Sequence, residues 1–336
     1  MAEISIILPV YNKENYINNI LRDIMQQEFK DFECIIIDDG SSDETGKICD
    51  RVAVEDNRFK VVHIQNGGVS HARNMGMNFA TGKYITFMDA DDEVLRNYLS
   101  ELYECIEKNK TDMVISGIEK YWPDTGKSKK IKLPIGKKSM LEIMDNFSII
   151  QKQTGVFGFC WGKLISRKII EGIYFDEDLK LAEDFEFYLK VYPQVDTIYF
   201  DNKCKYIYTQ EADNSWSKLS DDEIDYYSQL KINLRYKNFL KGMGFYHGEN
   251  KNIVNENLNN YIFFIILHSK REKICERVQM LNKDIKKYGI PLKGKDIFQK
   301  TILFLVKHKK GVIVKNIMIF YDKLRQIKNI NNRGIA

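Results

Sequence analysis

Apolar residues in the first 110 positions follow two periods in turn. Four short runs are continuous and rich in β-branched or aromatic residues: 4–9 (ISIILP), 32–37, 59–64 and 83–88. Such runs predict strands buried on both faces of a sheet. Between them, 14–27, 45–56 and 70–80 predict helices, the clearest repeat being Tyr16/Ile17, Ile20/Leu21 and Ile24/Met25. A further helix is expected over 96–109. Regular alternation of strand and helix predicts an α/β fold: a mostly parallel sheet with right-handed crossovers, flanked by helices.

After Asn109 the alternation loosens. A strand is expected at 112–118, and the polar, basic stretch 120–133 reads as a hairpin or a flexible excursion. Helices follow at 139–151, 167–171 and 181–192, with an aromatic, glycine-punctuated segment at 157–165 and short strands at 196–200 and 205–209. Ser220 precedes Asp221, Asp222 and Glu223, which predicts a helix start. From there the pattern is helical to the end, with breaks expected at 242–244, 289–291 and 309–311. The expected organisation is an α/β domain over 1–218, in halves 1–110 and 111–218, and a helical domain over 219–336.

Composition narrows the class. Hydrophobic residues make up 44% and charged residues 29% of the 336 residues, values of a globular chain rather than a disordered one. The formal charge of +4 hides an asymmetry: Tyr261 to Ala336 carries 18 Lys/Arg against 5 Asp/Glu, so the rest of the chain is acidic. The 6 cysteines show no C-x-x-C spacing, which suggests neither a zinc site nor a disulfide framework. No basic region precedes the first apolar run, and no apolar segment approaches 18 residues. These features together predict a chain kept in a reducing cytoplasm. Neither G-x-G-x-x-G nor G-x-x-x-x-G-K-[ST] occurs, so the dinucleotide and P-loop modes are not indicated.

The chemistry concentrates where strands end. In a parallel sheet the loops at 9–12, 38–43 and 89–92 share one edge, where open α/β folds place their ligands. The fourth strand runs directly into Asp89, Asp91 and Asp92. Carboxylates so close repel one another unless a cation lies between them, and a hard divalent ion that bridges a phosphate would satisfy them. The alternative is that they cap the following helix. The helix opening at Ser70-His71-Ala72-Arg73 follows Gly67-Gly68 and can offer free N–H groups and a guanidinium to a phosphate.

ILPVYNKENYI, IIIDDGSSDET, GVSHARNMG and YITFMDADD, in this order, resemble the family 2 glycosyltransferases of GT-A (Rossmann-like) fold, with CWGKLISRKII and AEDFEF similar to that family's acceptor-side motifs. The resemblance covers about residues 4–215. It implies a nucleotide-sugar donor, usually a UDP-sugar, and Mn²⁺ or Mg²⁺ as cofactor. It sets Tyr11 against the nucleobase, with a helix-packing staple as the alternative. Asp39 would accept from the base N–H or simply form a turn beside Gly40. Pro9, Glu14 and Ala90 belong to the donor loops, Arg73 approaches the diphosphate, Asp89 meets ribose or metal, and Asp91 ligates the metal. Asp184 matches the base that deprotonates the acceptor, with Glu183 competing; either could instead complement a helix N-terminus. Trp161 matches an acceptor position or else a core tryptophan. A Y-R…S pattern of many relatives is broken here, since Thr209 follows Tyr208 and Ser215-Trp216-Ser217 comes after.

The resemblance also implies inversion at the anomeric carbon, and a growing cell-surface polysaccharide, teichoic acid or glycoprotein glycan, lipid-linked or protein-linked, as acceptor. The basic tail suggests peripheral contact with an anionic membrane at its inner face, or merely a solvated helix surface. Nucleic acid is not expected as a partner, and homodimerisation is left open. The competing classes are a sugar nucleotidyltransferase, whose Gly-rich basic loop after the first strand is missing here, and a non-catalytic nucleotide-sugar-binding partner.

Overall fold

The computed structural model describes residues 2–210 and 225–333. The chain divides into two compact units, Met1–Lys218 and Leu219–Ala336. The expected helix start at Ser220 and the Ser215-Trp216-Ser217 segment lie outside the described residues.

The first unit is built on one sheet. Strands β1 (Ile4–Val10), β2 (Phe32–Asp38), β3 (Phe59–His63) and β4 (Tyr84–Phe87) are linked by α1 (Ile17–Met25), α2 (Thr45–Glu55) and α3 (Val69–Phe79). Their order is β3-β2-β1-β4, all parallel. Parallel strands need helical crossovers, and the helices cover both faces, so nearly every residue of β1 and β2 is buried. Gly76 on α3 is required by closeness: a Cβ there would lie 2.5 Å from Cγ2 of Ile7.

Beyond β4 the sheet becomes mixed. It continues through β9 (Lys163–Ser166), β6 (Met113–Trp122), β10 (Thr197–Thr209) and β5 (Glu93–Val94), with β7 (Lys127–Ile131) on β6 and β8 (Gly136–Ser139) on β10. β9 runs antiparallel between β4 and β6. The 120–133 stretch is a hairpin, β6–β7. The two short strands expected at 196–209 are one, β10, whose register shifts between Asp201 and Tyr206. The helices of this half are α4 (Tyr98–Asn109), α5 (Met140–Met144), α6 (Phe147–Thr154), α7 (Arg167–Ile170) and α8 (Glu183–Val191). α5 begins at a complete Ser139/Glu142 capping box.

The second unit contains, among the described residues, five α-helices: α9 (Tyr226–Gly242), α10 (Gly248–Leu267), α11 (Ile274–Tyr288), α12 (Ile297–Lys307) and α13 (Gly311–Arg333). The breaks fall where the sequence placed them, with one more after Leu267. Arg271 closes that turn by a bidentate pair to Asp322, both bonds 2.7 Å. Lys237 is buried and donates to the carbonyls of Tyr288 and Gly289, capping α11.

Candidate active site

The parallel register sets the site. Val10 lies beside Asp38 and Ile7 beside Phe87, so the chain leaves β1, β2 and β4 at one edge. A cavity of about 500 Å³ opens there. Pro9, Tyr11, Asp39, Arg73, Asp89, Ala90 and Asp91 of the expected residues line it, together with Lys13, Asn66 and Val69.

Each side chain reaches the cavity for a local reason. Tyr11 is 49% exposed on the cavity wall, so it does not act as a staple for α1. Asp39 is buried, and its two oxygens accept from the backbone N–H groups of Gly67 and Gly68 at 2.7 and 2.8 Å. It thereby ties the loop before α3 to the end of β2. Gly68, at φ 88, starts that helix, a conformation suited to glycine. The neighbouring Asp38 turns the other way and meets His63 Nδ1 at 2.7 Å.

Arg73 is the hub. Its side chain is only 4% exposed, and its guanidinium donates to Asp89 at 3.1 Å, Glu183 at 3.2 Å and Asp184 at 2.5 Å. Residues 16, 110 and 111 positions away in sequence are thus held by one planar cation. Asp184 also accepts from the Cys160 N–H at 3.3 Å, which anchors it to the segment before β9. The Glu183 carboxyl is pushed up to about 7, by burial first and then by the charge of Asp184. Loss of water and the negative charge of Asp184 beside it both disfavour the ionised form of Glu183. Burial pulls the nearby Lys163 amine down to about 7.

The acids after β4 divide their work. Asp91 pairs with Lys13 at 2.7 Å. Asp89 is raised by burial, against Arg73, and further by Asp184 and Asp91. Asp92 is buried, accepting from the Tyr206 hydroxyl at 2.6 Å and the Thr209 N–H at 3.0 Å. So it does not cap the next helix; it ties the acidic loop to β10. Among the described residues no three His, Cys, Asp or Glu side chains gather as a metal centre. The donor set still suits a hard ion, since Mg²⁺ or Mn²⁺ takes one or two carboxylates and completes its shell with phosphate and water. Burial raises Asp89 most, and such a cation would relieve the further contribution of the Asp184 and Asp91 charges.

Two expected residues sit elsewhere. Glu14 is not in the cavity: its carboxylate accepts from the Glu44 N–H at 3.0 Å, because the loop after β1 swings it to the start of α2. Trp161 is 3% exposed, stacked between Phe159 at 4.3 Å and Tyr206 at 5.3 Å, with Tyr208 at 4.6 Å. It is a core ring, and Phe159 and Tyr208 are the part-exposed members of the stack. Lys13 and Asp92 carried a signal in the sequence, a lysine between two donor-loop residues and a third acid in one run, without anything to tell their partners.

The family model described as Glycosyl transferase family 2 matches residues 5–173. The chain is 32% identical over 269 residues to the uncharacterized glycosyltransferase EpsJ of Bacillus subtilis (strain 168), across 77% of this chain and 74% of EpsJ. It is 28% identical over 263 residues to the glycosyltransferase GlyG of Streptococcus pneumoniae serotype 4, across 71% of this chain and 86% of GlyG. Among solved structures it is similar to S. aureus TarS 1-349 in complex with UDP. That likeness has a TM-score of 0.65 at 22% identity, over 96% of this chain and 92% of the other, and is one of fold.

Proposed function

The chain belongs to glycosyl transferase family 2 and is therefore a transferase, and from that premise we propose that it moves a sugar from a UDP-sugar to a hydroxyl of a growing cell-surface glycan, with inversion. The observation that carries this reading is the Arg73 bridge. It brings Asp184, from the start of α8, against Asp89 of the cavity at the end of β4. A donor pocket and a candidate base then share one cluster, which a transfer between two bound substrates requires.

In the proposed reaction Tyr11 stacks on the nucleobase and Asp39 holds the loop that shapes the base pocket. Asp184 takes the proton from the acceptor hydroxyl, and Glu183, whose ionisation burial disfavours, stands beside it on Arg73. Arg73 fixes the orientation of both Asp89 and Asp184. Asp89 and Asp91 would hold a Mn²⁺ or Mg²⁺ ion, which when bound supplies neutralisation of the departing diphosphate. Lys13, which pairs with Asp91 on the cavity wall, would offer its ammonium to a phosphate oxygen. A uridine donor is supported by TarS, solved in complex with UDP and with UDP-GlcNAc.

The same proposal places the enzyme in the cytoplasm, at the inner face of the membrane. No helix among the described residues is long and apolar enough to cross one. The support for contact is on α12 and α13, where Phe304, Val312 and Phe320 stand exposed among exposed lysines 300, 307, 309 and 310.

UDP release from UDP-sugars with Mn²⁺ tests the reading. Wild type should release UDP, and Asp184→Asn should slow release about 10²- to 10⁴-fold while UDP still raises the melting temperature. Asp91→Ala should weaken both release and the thermal shift. UDP binding without release by any acceptor or by water would make the chain a binding partner instead.

A further inference from the structure

The β6–β7 hairpin sets Lys120 directly opposite Lys129. Like charges facing each other across an antiparallel pair destabilise it. The next pair avoids the problem, since Glu119 lies opposite Lys130 and 3.8 Å from it. Among the described residues no carboxylate pairs with Lys120 or with Lys129. Lys120 is also part-buried, and burial first, then Lys129, lowers its pKa.

Its surroundings point inward to the site. The Lys120 ammonium lies 5.3 Å from the centre of the Phe159 ring and 5.8 Å from that of Tyr208. Aromatic faces attract a cation without neutralising it. Those rings stack on Trp161, and Phe159 adjoins Cys160, whose N–H holds Asp184. The Tyr208 hydroxyl is raised by burial and then by Asp92, Asp89, Asp91 and Asp184. The aromatic wall therefore has the carboxylate cluster at one end and an unneutralised pair of ammonium groups at the other.

We propose that Lys120 and Lys129 form an anion subsite for the acceptor, so that the glycan extended by this enzyme carries phosphodiester or carboxylate groups near the hydroxyl that receives the sugar. This rests on the glycosyltransferase reading above. A neutral glycan would leave the two ammonium groups opposed; an anionic oxygen between them would bring charge-assisted hydrogen bonds from both. The strain in the free hairpin then serves as stored preference for a charged acceptor.

Calorimetry on the full chain with UDP and Mn²⁺ present tests this with three probes: a glycerol-phosphate oligomer, an oligogalacturonate and neutral maltohexaose. One anionic oligomer should bind more tightly than maltohexaose, and which one does so identifies the source of the charge. Lys120→Met and Lys129→Met should each weaken that binding about tenfold, with the affinity for UDP unchanged. Lys129→Glu should raise the melting temperature of the free protein, by replacing repulsion with an ion pair, while abolishing binding of the anionic oligomer. Wild type that favours neither anionic oligomer, or lysine variants that bind it as wild type does, would overturn the subsite. Failure to bind UDP would instead overturn the reading on which it rests.

Discussion

Asp92 shows how a single carboxylate can be part of a site without facing its cavity. Its partners are Tyr206 and Thr209, both on β10, and it holds the loop that carries Asp89 and Asp91. The Tyr206 hydroxyl in turn accepts from the Asp89 N–H at 3.2 Å. Removing Asp92 strands the Thr209 N–H and the Tyr206 hydroxyl proton, whereas removing the Tyr206 hydroxyl leaves Asp92 its bond from Thr209, so the first loss is the costlier. Asp92→Ala is expected to lower stability by about 2–3 kcal/mol and Tyr206→Phe by about 1 kcal/mol, read from urea midpoints. The double variant should cost less than the sum, because both singles break one shared bond. Arg73 illustrates the converse. A lone helix arginine is ordinarily solvated, and only the packing of three carboxylates around it explains its burial.

At the level of elements, β2 carries a buried acid in an otherwise apolar strand. Glu33 accepts from the Ser5 hydroxyl, from the N–H and hydroxyl of Thr81, and from Lys60, so one carboxylate joins β1, β2, β3 and the turn before β4. Burial alone would raise its pKa, but the bond from Lys60 and those from Ser5 and Thr81 outweigh it and hold the group at about 2. A folded-state value below the ordinary 4.5 contributes stability above pH 4.5 that is lost as pH falls from there toward 2. The contribution is of order 3 kcal/mol, less whatever solvent screens at the half-exposed Lys60. Glu33→Gln should flatten the urea midpoint between pH 4.5 and 2, and an unchanged acid limb would contradict the account. The alternation of β1 to β4 with α1 to α3 was legible because continuous apolar runs and helical repeats are local signals. β5, β8 and β9 were not: they are two to four residues long, and their strand character comes from their neighbours.

For the whole molecule, charge is the organising property. The acidic front gathers Asp89, Glu183 and Asp184 about Arg73, with Asp91 and Asp92 in the same loop as Asp89, while the surplus of lysine and arginine lies in the helical unit. If that unit meets a membrane, the full chain should float with anionic vesicles at low salt and be released as salt screens the surface. Neutral vesicles should not carry it. Flotation that is indifferent to lipid charge would point to the exposed apolar side chains alone, and no flotation at low salt would remove the membrane from the proposal.

The sequence by itself determined the parallel half of the sheet, the edge at which its loops converge and the acids that end β4, because strand and helix periods are local patterns and their alternation implies parallel crossovers; the strand order came from the tertiary structure. Only the tertiary structure decided that Arg73 joins Asp89 to Asp184, that Lys13 pairs with Asp91, that Glu14 caps α2 and that Trp161 is core. Those facts depend on contacts between residues as many as 111 positions apart, and a side chain's partner across such a separation is fixed by packing, not by the residues beside it in the chain.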